Sequence, residues 1–421
     1  MSETMTLEIL KQAVSGQAAA FRCITEYQPM GGAGDKVFPP TYSGGEYAKE
    51  KRISPKGELV DCVLLDSVQS QANRMELALL EASETPDGPG LPLLKVEFKN
   101  IPKPITVTSL EAPHRVADAI FRDSIIMDED GEQRLFRDSK IRQKVLDRAD
   151  LRNATGLFGL CPTALVFGVW DSTGPRGGLG AKFQRALVSE VVGYGAVEGR
   201  KTGSRIDPLA IEIDAGPIYQ AKEGMGASGW TVDKNSALLD KKDEPVLYQG
   251  RKGDSGKPGQ PSKINHGNIP PTITDGGFTL IRAEQTTVLS LPALRRLRFP
   301  LPDKSLEEQN AANLTARTVL TALGLAAATL AREQGADLRS RCQLFPTGPF
   351  IWELLEQPGT ETRKFTLTGP EAIAILKSAI QTAQNAGLPW KDTILLQPSA
   401  DLVELVRRNQ NLALSTITGG D

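Results

Sequence analysis

With 421 residues, a net charge of −2, 40% hydrophobic and 24% charged residues, the chain has an ordinary soluble composition and is long enough for two or three domains, or for one with large insertions. No apolar run reaches the length of a membrane span and the N-terminus lacks a basic-then-apolar signal, which predicts a cytoplasmic protein with no membrane partner. Four scattered cysteines (Cys23, Cys62, Cys161, Cys342) without a CxxC pair read as reduced core residues, and only two histidines, His114 and His266, argue against a zinc site or a histidine-based catalytic apparatus.

The first predicted elements are an amphipathic helix over Leu7–Val14 and a strand over Ala18–Tyr27. Residues 30–54, MGGAGDKVFPPTYSGGEYAKEKRIS, predict a long loop. Its Lys36, Lys49, Lys51 and Arg52, with Phe38, Tyr42 and Tyr47, suit a single-stranded nucleic acid, which needs cations for phosphate and rings for bases; a plain surface loop fits equally. A strand over Leu59–Leu65 then feeds a helix opened by a capping-box-like Asp66 and Gln69, with Val68, Ala72, Met75, Leu79 and Ala82 as its buried stripe. Its first two turns also carry Gln69, Ser70, Gln71, Asn73 and Arg74. Amides in place of Glu and Lys suit contacts to phosphate or sugar oxygens, the alternative being a merely polar face. The strand LLKVEF follows between Pro/Gly-rich flanks.

Ser109 to Phe158 reads as a charged helical insertion, with seven Lys/Arg against three Asp between Arg134 and Arg152. The organising stretch runs from Cys161 to Pro208. It predicts a strand over Ala164–Trp170 and a loop over Thr173–Gly180 with four glycines and Arg176. A helix comes next, in which Leu179, Phe183, Leu187 and Val191 face the core and Lys182, Arg185 and Ser189 the other side. A second loop, Gly193–Arg205, adds Arg200, Lys201 and Arg205, so that Ser172 to Ile206 carries six Lys/Arg against two Glu, a local charge of plus four. Cations at a helix start oppose the macrodipole, which points to an anion in front of them. Two readings stay open: solvated cations on an ordinary α/β unit, or a cradle for a phosphate backbone. Nucleotide-enzyme motifs fail, because GxGxxG needs glycine where Phe183 stands and GxxxxGK[ST] fits neither Lys182 nor Lys201.

Beyond it, Leu209–Ile213 predicts a strand, and Ala221–Gly277, rich in Gly, Lys, Asp and Pro, a long loop or hairpin that orders on a partner. Strands resume over Phe278–Leu291, and three arginines, Arg295, Arg296 and Arg298, sit among apolar residues. Ser305 and Glu308 cap an alanine-rich helix ending near Gly335. A strand around Cys342–Phe345, a helix over Pro370–Ala386, a strand over Thr393–Leu396 and a last helix through Leu402 and Val406 complete the chain.

The phrases GGAGDKVFPPTYSGGEYA, CVLLDSVQSQANRMELALLEA, SLEAPHRVADAIFRDS, CPTALVFGVWDSTGPRGGLGAKFQRALVSEVVGYGAV and KTGSRIDPL resemble the backbone subunit of the type I-G (formerly I-U) CRISPR Cascade complex, a Cas-seven family. The resemblance covers most of residues 1–220 and implies an α+β fold: a ferredoxin-like, RRM-type palm with a helical fingers insertion and a thumb-like loop or hairpin. It divides the chain into palm (1–108), fingers (109–158), central palm strand-loop-helix (159–220), thumb or web (221–277), and the remaining palm with C-terminal helices (278–421). It implies a non-catalytic subunit, without metal or cofactor, that binds guide RNA (crRNA). Copies polymerise in a helical filament along the spacer and present it to target DNA beside the large subunit and a guide-processing, end-capping subunit. The implied RNA-binding residues are Lys36, Arg52, Gln69, Gln71, Asn73, Arg74, Arg176, Lys182, Gln184, Arg185, Arg200, Lys201 and Arg205. The RRM aromatic signature is absent and aromatics are 5% of the chain, so recognition through the backbone, not base stacking on the sheet, is expected. The competing readings are a metal-dependent ribonuclease using Asp35 in its glycine-rich loop, and a nucleotide-using enzyme built on the loop at 173–180.

Overall fold

The structure, a computed structural model, describes residues 2–174, 180–223, 229–250 and 257–418. The chain divides into two units, one of Met1–Asn100, Pro104–Val197 and Phe278–Val403, the other of Ile101–Lys103, Glu198–Gly277 and Glu404–Asp421.

The first unit mixes helices with a ten-stranded sheet, a five-stranded sheet and a two-stranded pair, Val169–Trp170 with Lys182–Phe183. Its ten-stranded sheet has at its centre Ala20–Pro29, Arg282–Ser290, Leu187–Tyr194 and Leu59–Asp66, each antiparallel to the next, and ends on Lys49–Ile53. Trp352–Leu355 and Cys342–Pro346 pair with the other side of Ala20–Pro29. Alternation decides which face is covered: Phe21, Cys23, Thr25 and Tyr27 are buried, as are Ala283, Gln285, Thr287 and Leu289, while the residues between them are not. Helices Val68–Ser83 and Leu306–Glu333 lie against this buried face, packed on Leu187–Tyr194 and Arg282–Ser290 respectively. The long helix opens with the complete Ser305/Glu308 capping box. It is the one helix among the described residues long and apolar enough to cross a membrane, and most of it is buried in the protein core. A second sheet, of five strands, runs in the order Ile105–Thr108, Leu94–Phe98, Ile394–Pro398, Ser124–Met127, Gln133–Leu135.

Several elements differ from the expectation. The helix expected after the glycine-rich loop is instead a two-residue strand, Lys182–Phe183, followed by the sheet strand Leu187–Tyr194. A spacing of four is even, so it satisfies the two-residue period of a strand as well as the i, i+4 contacts of a helix, and the β-branched Val188, Val191 and Val192 favour the strand. In the reverse direction, the apolar run Ala164–Trp170 is a short helix, Thr163–Phe167, that ends where Gly168 adopts φ +85°; only Val169–Trp170 is extended. A continuous apolar run does not distinguish a buried strand from a buried helix. The expected loop Gly193–Arg205 is largely the strand Val197–Arg205. The insertion at 109–158 is only partly helical, since Ser124–Met127 and Gln133–Leu135 join the second sheet. The helix at Val68 is capped by Ser67, which accepts the Ser70 N–H at 3.2 Å, and not by Asp66, the last residue of the preceding strand.

In the second unit, Val197–Arg205 pairs with Ile269–Thr279. The strand expected at Leu209–Ile213 is a turn. The Asp207 carboxylate accepts the backbone N–H groups of Gly267 (2.5 Å) and Leu209 (2.9 Å), which hold that carboxyl below its ordinary range.

Candidate nucleic-acid interface

Residues 165–170 and 182–186 build one wall of an open cleft in the first unit. Val169–Trp170 pairs antiparallel with Lys182–Phe183, in the register Lys182 to Trp170 and Phe183 to Val169. Alternation buries Val169 and Phe183 and turns Trp170 and Lys182 outward, where the Lys182 ammonium stands 5.3 Å from the centre of the Trp170 ring. Gly168 is required at the turn, because a Cβ there meets the Phe183 carbonyl oxygen at 3.0 Å and the Arg185 side chain at 3.1 Å.

The cleft has a volume of about 730 Å³. Leu165, Phe167, Val169, Phe183 and Leu297 supply apolar surface; Gln69, Asn73 and Gln184 supply amides; Arg115, Lys182, Arg185 and Arg296 supply charge. Among the described residues no aspartate or glutamate lines it, and only Arg115 of the four cations has a carboxylate partner, a buried two-pronged pair with Glu76 at 2.7 and 2.6 Å. Burial pushes the Glu76 carboxyl up even with Arg115 beside it. Arg115 also donates to the Gly168 carbonyl at 2.9 Å, which ties this ion pair to the hairpin. Arg185 donates to the Val68 carbonyl at 3.3 Å, and burial followed by the neighbouring Arg115 pulls it below its ordinary value. Both causes reflect a cation held out of water beside a like charge, a state that an anion in the cleft relieves.

A second group of arginines, Arg295 and Arg298 beside Arg296 and Arg317 on the long helix, gathers around Leu297. Arg298 donates to the carbonyls of Arg295 and Leu297, Arg317 donates twice to Leu297, and Arg295 donates to the carbonyls of Ala13, Val14 and Ala18. Burial, then Arg298 and Arg295, pull Arg317 down to about 10. These arginines use backbone carbonyls, and among the described residues none of them meets a carboxylate that would cancel its charge.

Five of the residues expected to bind RNA, Gln69, Asn73, Lys182, Gln184 and Arg185, meet in this cleft. Others are placed elsewhere. Gln71, 4% exposed, faces inward: its amide donates to Asp66 at 2.6 Å and its oxygen accepts from Ser189 at 3.0 Å and Gln285 at 2.6 Å. Ser189 is therefore a buried partner and not a neighbour of the cations. Arg74 spans Asp66 (3.0 Å) and the Leu338 carbonyl (2.7 Å). Arg52 lies on the edge strand, hydrogen-bonded to Glu190 at 2.9 Å and Glu50 at 2.5 Å; burial opposes them, but these bonds raise it above its ordinary value. Lys36 lies in the long loop, its N–H donating to Asp35 Oδ1 at 2.8 Å. In the second unit Arg200 pairs with Asp275 at 3.1 Å, the Lys201 stem crosses Gly276, and Arg205 donates twice to the Gly267 carbonyl. Arg176 lies outside the described residues. Sequence reasoning did not assign Trp170, Arg115 or Arg296; three arginines among apolar residues at 295–298 were the available signal for the last.

The sheet's solvated face is different. Its cations are matched by carboxylates, Arg22 with Glu353 at 2.6 Å, Arg52 with Glu190 and Arg282 with Glu284 at 3.3 Å.

Residues 21–198 match the family described as CRISPR-associated protein GSU0053. Over those residues the chain is similar to that CRISPR-associated family. The matched segment holds Gln69, Asn73, Arg115, Trp170, Lys182, Gln184 and Arg185, and so most of the cleft; Arg296 lies beyond it. No curated protein matches the chain.

Proposed function

We propose that the chain is a non-catalytic, guide-RNA-binding backbone subunit of a type I CRISPR Cascade complex, that it assembles with copies of itself and the other Cascade subunits, and that it presents the guide to target DNA. The observation that carries this reading is a cleft in which, among the described residues, three cations, Lys182, Arg185 and Arg296, have no carboxylate partner, three amides flank them and no acidic residue lines the wall. Charge and amides of this kind grip phosphate and sugar without reading bases, as a holder of many guides requires. The topology supports a ferredoxin-like palm. Taken in chain order, Ala20–Pro29, Leu187–Tyr194, Arg282–Ser290 and Trp352–Leu355 stand in the sheet as fourth, first, third, second, with Val68–Ser83 and Leu306–Glu333 as the two crossovers.

The ribonuclease alternative gains no support. Asp35 is exposed, and among the described residues no group of three or more His, Cys, Asp or Glu stands close enough to hold a metal ion.

The test is binding of labelled single-stranded RNA to the full chain across a salt series. Each phosphate contact contributes about 0.7 to the slope of log affinity against log salt, so replacing Lys182, Arg185 and Arg296 together by alanine is expected to flatten the slope by about 2. An unchanged slope and affinity in the triple variant overturns the assignment.

A further inference from the structure

Trp170 is 56% exposed, whereas Trp352, in the same unit, is 1% exposed. A large exposed indole is unusual for a side chain whose area favours burial, and its setting is rigid. On one side of it, the Gly168 carbonyl is held by Arg115, itself locked to buried Glu76. On the other, buried Asp171 is ion-paired with buried Arg142, and the Asp171 N–H donates to the Ala181 carbonyl at 2.9 Å. Two buried arginine anchors thus bracket one outward aromatic at the edge of the cationic, amide-bearing cleft. This is more support than a surface hairpin of two residues per strand needs for its own sake, and it is what a preorganised contact requires.

We propose that Trp170 is a stacking platform for an unstacked nucleobase of the bound single strand, whose phosphates lie on Lys182, Arg185 and Arg296. The proposal rests on the RNA-binding reading and adds a base contact to a site otherwise made for backbone. The cation over the ring fits it. When a base takes that place, the Lys182 ammonium moves the short distance to the adjoining phosphate and exchanges a cation–π contact for a charge-assisted hydrogen bond. Every base has a π face, so the contact tolerates any guide sequence.

The test uses the full chain with short oligoribonucleotides of uridine or of adenosine, and with an abasic strand of the same length and charge. Base-bearing strands are expected to quench tryptophan emission and to bind about tenfold more tightly than the abasic strand. Trp170→Ala is expected to lose about tenfold in affinity with its salt slope intact, since no charge is removed, while Trp170→Phe retains binding and loses the quenching. Melting temperature checks that both variants are folded, and an exposed site predicts little change. Equal affinity for abasic and base-bearing strands, or an undiminished Trp170→Ala, overturns the platform and leaves the phosphate reading standing. A flat salt slope, or no binding of either strand by the wild type, overturns both. Retained RNA binding with lost association between copies in Trp170→Ala assigns the indole to a protein partner instead.

Discussion

Two regions of the first unit are both rich in arginine and lysine and have opposite electrostatic character. Between Arg122 and Asp147, Arg134 meets Asp128, Asp130 and Glu132, Lys140 meets Asp130, Arg142 meets Asp147 and Asp171, Lys144 meets Glu129, and Arg122 and Arg137 both meet Asp123. In the cleft, among the described residues, Lys182, Arg185 and Arg296 meet no carboxylate and the lining contains none. The first region spends its cations on holding a strand-and-turn insertion together; the second keeps them available. Cation density along a sequence therefore says little about anion binding until the partners are known, and a field sums over partners and not over residues.

The comparison is broken most forcefully behind the cleft. Glu76→Ala leaves Arg115 buried without its counter-charge, and an expected loss of about 3–5 kcal/mol follows, read by urea denaturation. A retained stability would show that the cleft tolerates a fourth unpaired cation. A smaller effect is expected from Gln69→Glu, which gives the cleft the carboxylate it lacks and turns it into a paired region: RNA affinity falls roughly tenfold, with stability little changed. The smallest belongs to the paired region. A hydrogen bond from Lys140 leads the effects that hold the Asp130 carboxyl at about 2, below an unfolded value of about 3.9, so its stabilisation is complete above that value and drains away as pH falls towards about 2. Asp130→Asn should thus lower the urea midpoint near neutral pH, by an amount that shrinks on acidification, and leave RNA affinity unchanged at neutral pH.

How much was legible depended on the range of the forces involved. Local signals predicted the Ser305/Glu308 cap, the helices Leu7–Ser15 and Gly369–Asn385 and the strands Leu59–Asp66 and Leu94–Phe98, because caps, periodicity and turn residues act over a few positions. The same signals failed from Ala164 to Val191, where a spacing of four fits two periods and a fully apolar run fits either element. For the site, the sequence brought forward Gln69, Asn73, Lys182, Gln184 and Arg185 through their residue types. It did not separate them from Gln71 and Arg74, one or two positions away on the same helix.

Alone, the sequence determined the similarity of residues 21–198 to a CRISPR-associated family, the capped helices and the local excess of positive charge. Only the tertiary structure decided which charges are cancelled and which amides face solvent. Pairing such as Arg74 with Asp66 and Leu338, or Gln71 with Ser189 and Gln285, joins positions up to hundreds of residues apart, and a neutralised cation and a free one are the same letter until the chain has brought their partners together.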